Sequence, residues 1–458
     1  MQQHDVAPTR PTAGIAIGLL VLSAAAALLW WYIGTAAVDV VYADTWAYLP
    51  TIEHALSGRL SAADLFAAHN QNRTPLLDVV LLASARYDAF DLVHVDYAGP
   101  LFIAATGMIL LIICRSLFCS RNTAMAVTFT CVVLLLSSLG QWENLLLPIN
   151  LVFFATITFS AASVVLVHRY LVDPQPRLLS PAFLGGTAMS VLALFCMAGG
   201  VVVWVVNSVQ IAVSCWLHKT RTGPGVIAYG TAGGLSIAVY LHGLGQQAGG
   251  GFALSHPQEF GRFLLIGTGN ALVGFFRNVP SVQLDLAVGA MLLACYGGVA
   301  LIWIRLAKAD QAATLGLLCL VLLGVGEEAL IALGRLPYGA RYAAASRYST
   351  LTLVSVAAAL IFLAWHAARS RSGVVMAVLL GTAVAAFSMM ADWNELEMAG
   401  ARRQYGENLK HILQVGDIGE AEAASLEWGS AQGGHLQDIV DGNAFLRRYR
   451  LSLYRNEP

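Results

Sequence analysis

The polar residues that follow the first apolar segment have the types and spacing of a catalytic or sugar-binding loop. Asp44 comes soon after the apolar run 15–35, and Trp46 and Tyr48 follow it. A carboxylate near the membrane surface costs free energy when it faces lipid, so Asp44 is expected to face a cavity. There it could act as a base or bind substrate, with Tyr48 beside it. A structural cap or ion pair is the alternative.

An amphipathic helix is predicted next, from Thr51 to Leu60, because its apolar residues recur at helical spacing. Ser57 and Gly58 indicate where that helix ends. Such a helix would lie along the membrane surface. Glu53 and His54 would then lie near Asp44 and could bind substrate.

A second polar cluster in the same loop is His69-Asn70-Gln71-Asn72-Arg73, directly before Thr74-Pro75. His69 and Asn70 could hold a sugar by hydrogen bonds, and Arg73 could pair with a phosphate. The alternative is a solvated turn that caps the next helix.

A short polar connection, Gln141-Trp142-Glu143-Asn144, lies between two apolar segments. A turn of this length has little room except at the mouth of a helical bundle. Gln141, Glu143 and Asn144 are therefore expected to face the same cavity as Asp44. A helix-capping turn with an interfacial Trp is the alternative.

A third group comprises Glu327-Glu328 near the end of one apolar segment and the cations before the next, at Arg335, Arg341 and Arg347. Acids at membrane depth need a nearby cation, and these arginines could supply it. Arg341, Arg347 and Tyr348 are also suited to bind a phosphate or diphosphate. A structural ion-pair network is the alternative.

Composition requires that these residues be positioned by a membrane bundle. The chain has 458 residues, 57% hydrophobic and only 12% charged, with a mean hydropathy of +0.67, whereas soluble domains carry roughly 25% charge. Segments long enough to cross the bilayer must be helical, because lipid offers the backbone no hydrogen-bond partner. We predict about eleven spans, at 15–35, 101–117, 123–139, 145–167, 181–197, 201–217, 226–241, 286–304, 312–325, 350–365 and 373–390. The stretches 75–85 and 263–276 are about half as long and are predicted to be interfacial or re-entrant.

The distribution of basic residues predicts the orientation. With a cytoplasmic N-terminus, Lys and Arg outnumber Asp in the connections 118–122, 168–180, 218–225, 305–311 and 366–372. The long polar connections then lie outside. We predict a membrane bundle over 1–391, with amphipathic helices in the first extracytoplasmic loop, 36–97, and a small polar extracytoplasmic tail over 392–458.

The layout and motifs resemble a known enzyme group. A long first outer loop with an early acid, followed by surface helices and a multi-span bundle, is similar to the GT-C fold of lipid-linked-sugar glycosyltransferases. The motifs D-x-W-x-Y (44–48), H-N-Q-N-R (69–73), Q-W-E-N (141–144) and S-R-Y (346–348) resemble those of a group of bacterial multi-pass membrane proteins. Many GT-C enzymes have two adjacent acids in this loop, whereas Asp44 is followed by Thr45.

The resemblance implies transfer of a sugar from a polyprenyl-phosphate donor to an extracytoplasmic glycan, lipid or protein acceptor at the bacterial inner membrane. Asp44 would be the catalytic base, and Arg347, with Arg73, would neutralise the leaving phosphate. A divalent ion, Mg²⁺ or Mn²⁺, held by Asp44 and Glu143 is compatible with this chemistry but not required. No zinc-site spacing is present, and no nucleic-acid partner is predicted.

Three other functions stay open. In a transporter or lipid flippase, the intramembrane charges would line a path, and Gly185-Gly186, Gly199-Gly200 and Gly233-Gly234 do interrupt apolar runs. In an O-antigen-type polymerase, the arginines of 335–347 would bind lipid-linked glycans. A non-catalytic membrane scaffold is the third.

Overall fold

The chain folds almost entirely into helices. The structure, a computed structural model, describes residues 13–69, 72–118, 121–173, 177–218, 223–244, 249–273, 282–369, 371–427 and 436–455. In chain order the α-helices are α1 (Ala13–Ala36), α2 (Leu49–Leu56), α3 (Ala62–Leu65), α4 (Pro75–Tyr87), α5 (Leu92–Asp96), α6 (Gly99–Phe118), α7 (Asn122–Leu136), α8 (Trp142–Leu146), α9 (Leu151–Val172), α10 (Pro181–Cys196), α11 (Val201–His218), α12 (Gly223–Leu241), α13 (Gly249–Ser255), α14 (Pro257–Val273), α15 (Val282–Arg305), α16 (Lys308–Arg335), α17 (Ser346–Ala367), α18 (Arg371–Val415), α19 (Ile418–Glu427) and α20 (Leu436–Tyr449).

Short 3₁₀ turns and one small hairpin connect these helices. Two-residue strands, β1 (Ala68–His69) and β2 (Asn72–Arg73), pair antiparallel in the first loop. The described 3₁₀ turns are Ala43–Tyr48, Leu139–Gln141, Pro148–Asn150, Ala198–Gly200, Leu336–Tyr338, Ala340–Ala344 and Ser452–Tyr454.

Nine helical segments in the described part of the chain are long and apolar enough to cross a membrane, so the protein is a multi-pass helical membrane protein. They are Ala13–Ala36, Leu92–Phe118, Asn122–Leu146, Pro148–Val172, Ala198–Leu217, Pro224–Leu241, Val282–Arg305, Lys308–Tyr338 and Ser346–Ala367. The two remaining predicted spans fall on α10, which is 16 residues long, and on the first part of α18. The total of eleven stays a prediction that depends on these two helices.

The core of the bundle is α17, whose residues are buried along nearly its whole length. It packs against α7, α9, α14 and α16. The closest approach is to α16, where the Ser355 hydroxyl donates to the Leu320 and Val321 carbonyls and a side chain at Gly324 would overlap Ser355. Small residues that let two backbones meet in this way are typical of helix pairs in membranes.

The first loop forms the predicted surface helices. Helix α2 ends at Leu56, and Gly58 has a φ of +73°, which favours glycine. Helix α3 begins with a reciprocal capping box between Ser61 and Asp64. Helix α4 has 13 residues, too few to span, as expected for an interfacial segment.

The C-terminal segment packs back onto this loop. Helix α18 continues without a break through residue 391, where the bundle was predicted to end. The Ser452 hydroxyl donates to Asp39 Oδ1 over 2.9 Å, and its backbone N–H donates to the Ala89 carbonyl over 2.8 Å. Arg455 pairs with Asp91 and lies 3.9 Å from Asp39 Oδ2. The tail therefore contacts the first loop before α2, at Asp39, and after α4, at Ala89 and Asp91.

Replacing Arg455 by Ala should loosen this contact, because it leaves the buried Asp91 carboxylate without its cation. We expect the docked tail to lose about 1 to 3 kcal/mol, measured as faster hydrogen exchange and faster proteolysis of 436–455. Arg448→Ala, an exposed site in the same tail, is the control and should leave both rates unchanged. Equal rates in the two variants would contradict the assigned contact.

Candidate functional site

Asp44 lies at the start of the 3₁₀ turn Ala43–Tyr48, which follows α1. The turn begins abruptly because Ala43 has a φ of +51°, a conformation that costs a non-glycine residue free energy. Asp44 is half-buried, while Trp46 and Tyr48 are buried on the protein side. The catalytic role of Asp44 stays a prediction.

Tyr48 and His69 are brought together, although they are distant in sequence. Their rings lie 4.2 Å apart, and the Tyr48 hydroxyl is 3.0 Å from Thr74 Oγ1. Burial raises the pKa of Tyr48, and the nearby Asp78 and Asp44 carboxyls raise it further. Asp44 thus acts electrostatically on Tyr48.

Asp78 of α4 completes this cluster and was not predicted from the sequence. Its side chain is 1% exposed, and its Oδ1 lies 3.9 Å from His69 Nε2. Neither carboxylate oxygen has a hydrogen-bond partner among the described residues. Burial raises the pKa of Asp78 to about 7 and lowers that of His69. In the sequence, the sign that could have indicated this role is that Asp78 is the single acid in the apolar stretch 75–85.

Arg73 is engaged with backbone carbonyls. Its guanidinium donates to the Tyr240 carbonyl over 2.9 Å and also to the carbonyls of Phe66 and His242. These bonds attach β2 to the end of α12. Phosphate binding by Arg73 stays a prediction, and it would require Arg73 to give up one of these bonds.

The other first-loop candidates lie on the surface. His54 Nδ1 is 3.0 Å from Asp64 Oδ1, which joins α2 to α3. Glu53 is half-buried on the same helix. Asn70 lies outside the described residues.

The Q-W-E-N and S-R-Y motifs form one network, although about 200 residues separate them. Glu143 Oε2 accepts from the Ser346 hydroxyl over 2.8 Å and from the Arg347 backbone N–H over 2.9 Å. Glu143 Oε1 lies 3.5 Å from Arg347 Nη1. The carboxylate therefore caps the N-terminus of α17, where the helix dipole favours negative charge.

The two amides of Q-W-E-N extend this network. Asn144 Nδ2 donates to the Arg347 carbonyl over 2.8 Å and to Thr350 Oγ1 over 2.7 Å. The Thr350 hydroxyl donates to Gln141 Oε1 over 2.6 Å. All three side chains are buried. Gln141 and Asn144 thus hold α8 against α17.

The Arg347 guanidinium lies close to two tyrosine rings. Its Cζ lies 5.2 Å from the ring centres of both Tyr342 and Tyr348, and Nη2 donates to the Tyr342 hydroxyl over 2.7 Å. Arg341 is exposed nearby.

The predicted pairing of these arginines with Glu327 and Glu328 is wrong. The four carboxyl oxygens of the two acids have no hydrogen-bond partner in the described chain, because Arg347 is engaged with Glu143.

Tyr42 joins the Asp44 turn to this network. Its hydroxyl donates to the Leu146 carbonyl, and the Asp44 turn packs against Pro148–Asn150, the turn that follows α8. Burial raises the pKa of Tyr42, and Asp96 and Glu143 raise it further. Asp44 and Arg347 therefore lie on elements that are linked through the Pro148–Asn150 turn and α8.

Helix α18 supports the network from behind. Arg402 Cζ lies 3.3 Å from the centre of the Trp142 ring, and the same guanidinium pairs with Glu395. The Tyr32 hydroxyl donates to Glu395 over 2.9 Å, which ties α18 to α1.

The Asp44 and Glu143 carboxylates do not fit a divalent-ion site. Both Glu143 oxygens face Ser346 or Arg347 donors. In the described part of the chain, no three His, Cys, Asp or Glu side chains are grouped so that they could hold a metal ion. We therefore assign no step to a metal.

No protein-family model, curated protein or solved structure matches this chain significantly. The resemblance to GT-C enzymes accordingly depends on the layout and the short motifs alone.

Replacing Glu143 by Ala should destabilise the bundle, because it removes the cap of α17 and leaves Arg347 buried without its acid. We expect a loss of roughly 3 to 5 kcal/mol, measured as a lower melting temperature in detergent. Glu407→Ala, at an exposed pair on α18, should change it little. Similar melting temperatures for the two variants would sink the network's structural role.

Asp78 should make the folded state less stable as pH rises. Its pKa is raised in the folded state, so between about pH 4 and about pH 7 the unfolded chain ionises Asp78 while the folded chain does not. Above pH 7 this penalty is constant. Asp78→Asn should therefore gain stability relative to wild type across that window, seen as a growing melting-temperature difference. The exposed Asp438→Asn should show no such gain, and a constant difference for Asp78→Asn would refute the assignment.

Proposed function

We propose that this protein is a membrane glycosyltransferase that moves a sugar from a polyprenyl-phosphate donor to an extracytoplasmic acceptor, with Asp44 as the base. The observation that carries the proposal is the junction of the Asp44 turn with the Glu143–Arg347 network through Tyr42 and the Pro148–Asn150 turn. The transfer needs an acid and a cation on the two sides of the anomeric carbon, and this junction links the elements that carry them.

Arg347 is the group that would neutralise the leaving phosphate. The segment 335–348 carries Arg335, Arg341 and Arg347 and no acid, so with Glu143 included the region has an excess of positive charge. Arginine binds phosphate through paired N–H donors. Arg347 Nη1 is 3.5 Å from Glu143 Oε1. A bound phosphate would therefore share the Arg347 guanidinium with Glu143 and would need no further cation.

Asp44 would act on the acceptor. In the proposed step its carboxylate takes the proton of an acceptor hydroxyl, and the oxygen attacks the anomeric carbon while the bond to the lipid phosphate breaks, with inversion. Tyr48, on which Asp44 acts electrostatically, packs against His69, and His69 lies near Asp78. Glu53 and His54 are proposed to contact the acceptor. Arg73 is proposed to assist Arg347 at the phosphate, for which it would give up one of its bonds to carbonyls. The donor's lipid tail would lie between helices in the bacterial inner membrane.

One other candidate has a specific observation in its favour. The same excess of arginines over acids in 335–348 suits an O-antigen-type polymerase, which would join two lipid-linked glycans. The two candidates differ in the acceptor, since the polymerase needs a lipid-linked glycan on both sides.

Asp44→Asn should reduce sugar transfer from a lipid-linked donor by about 10²- to 10⁴-fold, the usual contribution of a general base. The assay uses membranes carrying equal amounts of folded protein and a radiolabelled polyprenyl-phosphate sugar. Asp438→Asn, an exposed site on α20, is the control and should keep full activity. Wild-type transfer by the Asp44 variant would show that Asp44 is not the base.

A further inference from the structure

Two adjacent acids, Glu327 and Glu328, are buried inside the membrane helix α16. Both side chains are fully buried, and none of their four carboxyl oxygens has a hydrogen-bond partner among the described residues. They lie seven and eight residues before Arg335, which at 1.5 Å per residue is roughly 11 Å from that end of the helix. Neither acid belongs to the site described above.

Each acid fills a space left by a glycine on a neighbouring element. Glu327 lies against Gly199 in the Ala198–Gly200 turn that leads into α11, and Glu328 lies against Gly267 of α14. A side chain at either glycine would overlap the carboxyl group. Thr268, next to Gly267, also has a buried hydroxyl that finds no hydrogen-bond partner among the described residues.

No cation in the described contacts offsets these acids. Among the described side chains, the charged or titratable groups on α16 and on the elements packed against it are Lys308, Asp310, Cys319, Arg335, Tyr338, Arg341, Tyr342, Arg347, Tyr348, His366, His168, Arg169, Tyr170, Cys215, Glu259, Arg262, Asp285, Cys295, Tyr296 and Arg305. Arg347 pairs with Glu143, and Arg262 and Arg341 are exposed. None of them makes a salt bridge to Glu327 or Glu328.

An ionised carboxylate in this setting would cost several kcal/mol. A buried acid can avoid that cost by holding a proton. A second feature makes release feasible: Glu327 lies at the N-terminal end of α11, where the helix dipole favours negative charge.

We propose that Glu327 and Glu328 form a proton-binding site inside the membrane, and that proton release opens the contacts of α16 with the Ala198–Gly200 turn and with α14. On release the O–H bond of the acid breaks, the electron pair stays on the carboxylate, and the proton passes to water entering the opened contact. The Ala198 N–H donates to Asn72 Oδ1 over 3.0 Å, so the opening is transmitted to the loop that carries His69. This inference does not depend on the proposed transferase activity.

The first test is infrared spectroscopy of the protein in lipid nanodiscs at neutral pH. Protonated carboxylic acids have a C=O stretching band that carboxylates lack. Glu327→Gln and Glu328→Gln should each lose part of this band relative to wild type, whereas the exposed Glu407→Gln should not. An unchanged band in both variants, or its loss on adding Mg²⁺, would overturn the proposal, the second outcome in favour of a metal site.

The second test uses Cys196, which is buried two residues before Ala198. In a chain that keeps only this cysteine, alkylation by N-ethylmaleimide reports opening of the contact. The alkylation rate is measured from neutral to alkaline pH in the protein that keeps Glu327 and Glu328 and in Glu327→Gln/Glu328→Gln. With both acids present, the rate should increase at least about tenfold more than in the double variant, which is the effect of one pH unit on one titrating group.

The Gln variant measures the contribution of the thiolate alone, so identical pH profiles would contradict the proposal. If the double variant does not fold, Glu328→Gln alone serves the comparison. Neither test measures sugar transfer, so a failure here is distinguishable from a failure of the transferase proposal.

Discussion

The arrangement of the candidate site depends on one buried interaction, the capping of α17 by the Glu143 carboxylate. This carboxylate accepts from Ser346 and Arg347 and faces the Arg347 guanidinium. Because α17 is the core of the bundle, the cap fixes the turn before it, with Tyr342 and Tyr348 around the cation. It also fixes α8 and, through the Tyr42 bond to Leu146, the turn that carries Asp44. Removing this acid would leave a buried cation without its partner, which is why so many contacts depend on one side chain.

The sequence predicted the helical membrane bundle because this fold follows from local rules. Long uncharged segments must be helical in lipid, and polar residues in a connection as short as 141–144 can only lie at the end of a bundle. The surface helix ending near Gly58 was predicted for the same reason, since its periodicity and its left-handed residue are local signals.

The pairing of side chains could not be predicted, because it depends on contacts between segments distant in sequence. Arg347 was expected to pair with Glu327 or Glu328, but it faces Glu143, which caps α17, the helix that carries Arg347. Arg73 was expected to be available for phosphate, yet the carbonyls of Tyr240 and His242 near the end of α12 and of Phe66 in the first loop accept its hydrogen bonds. Asp78 was missed because a lone acid in an apolar stretch does not reveal that His69 and Tyr48 fold against it. The docking of the tail could not be predicted either, because Ser452 and Arg455 contact Asp39 and Asp91, which are distant in sequence.

In the proposed reaction, Asp44 and Arg347 serve the two sides of one transfer. The most direct measurement is an electron cryo-microscopy structure of the protein in nanodiscs with a non-hydrolysable polyprenyl-phosphate sugar. We expect the phosphate to lie against the Arg347 guanidinium and the anomeric carbon to face the Asp44 carboxylate. A phosphate bound away from Arg347, or a sugar that points away from Asp44, would contradict the proposed reaction.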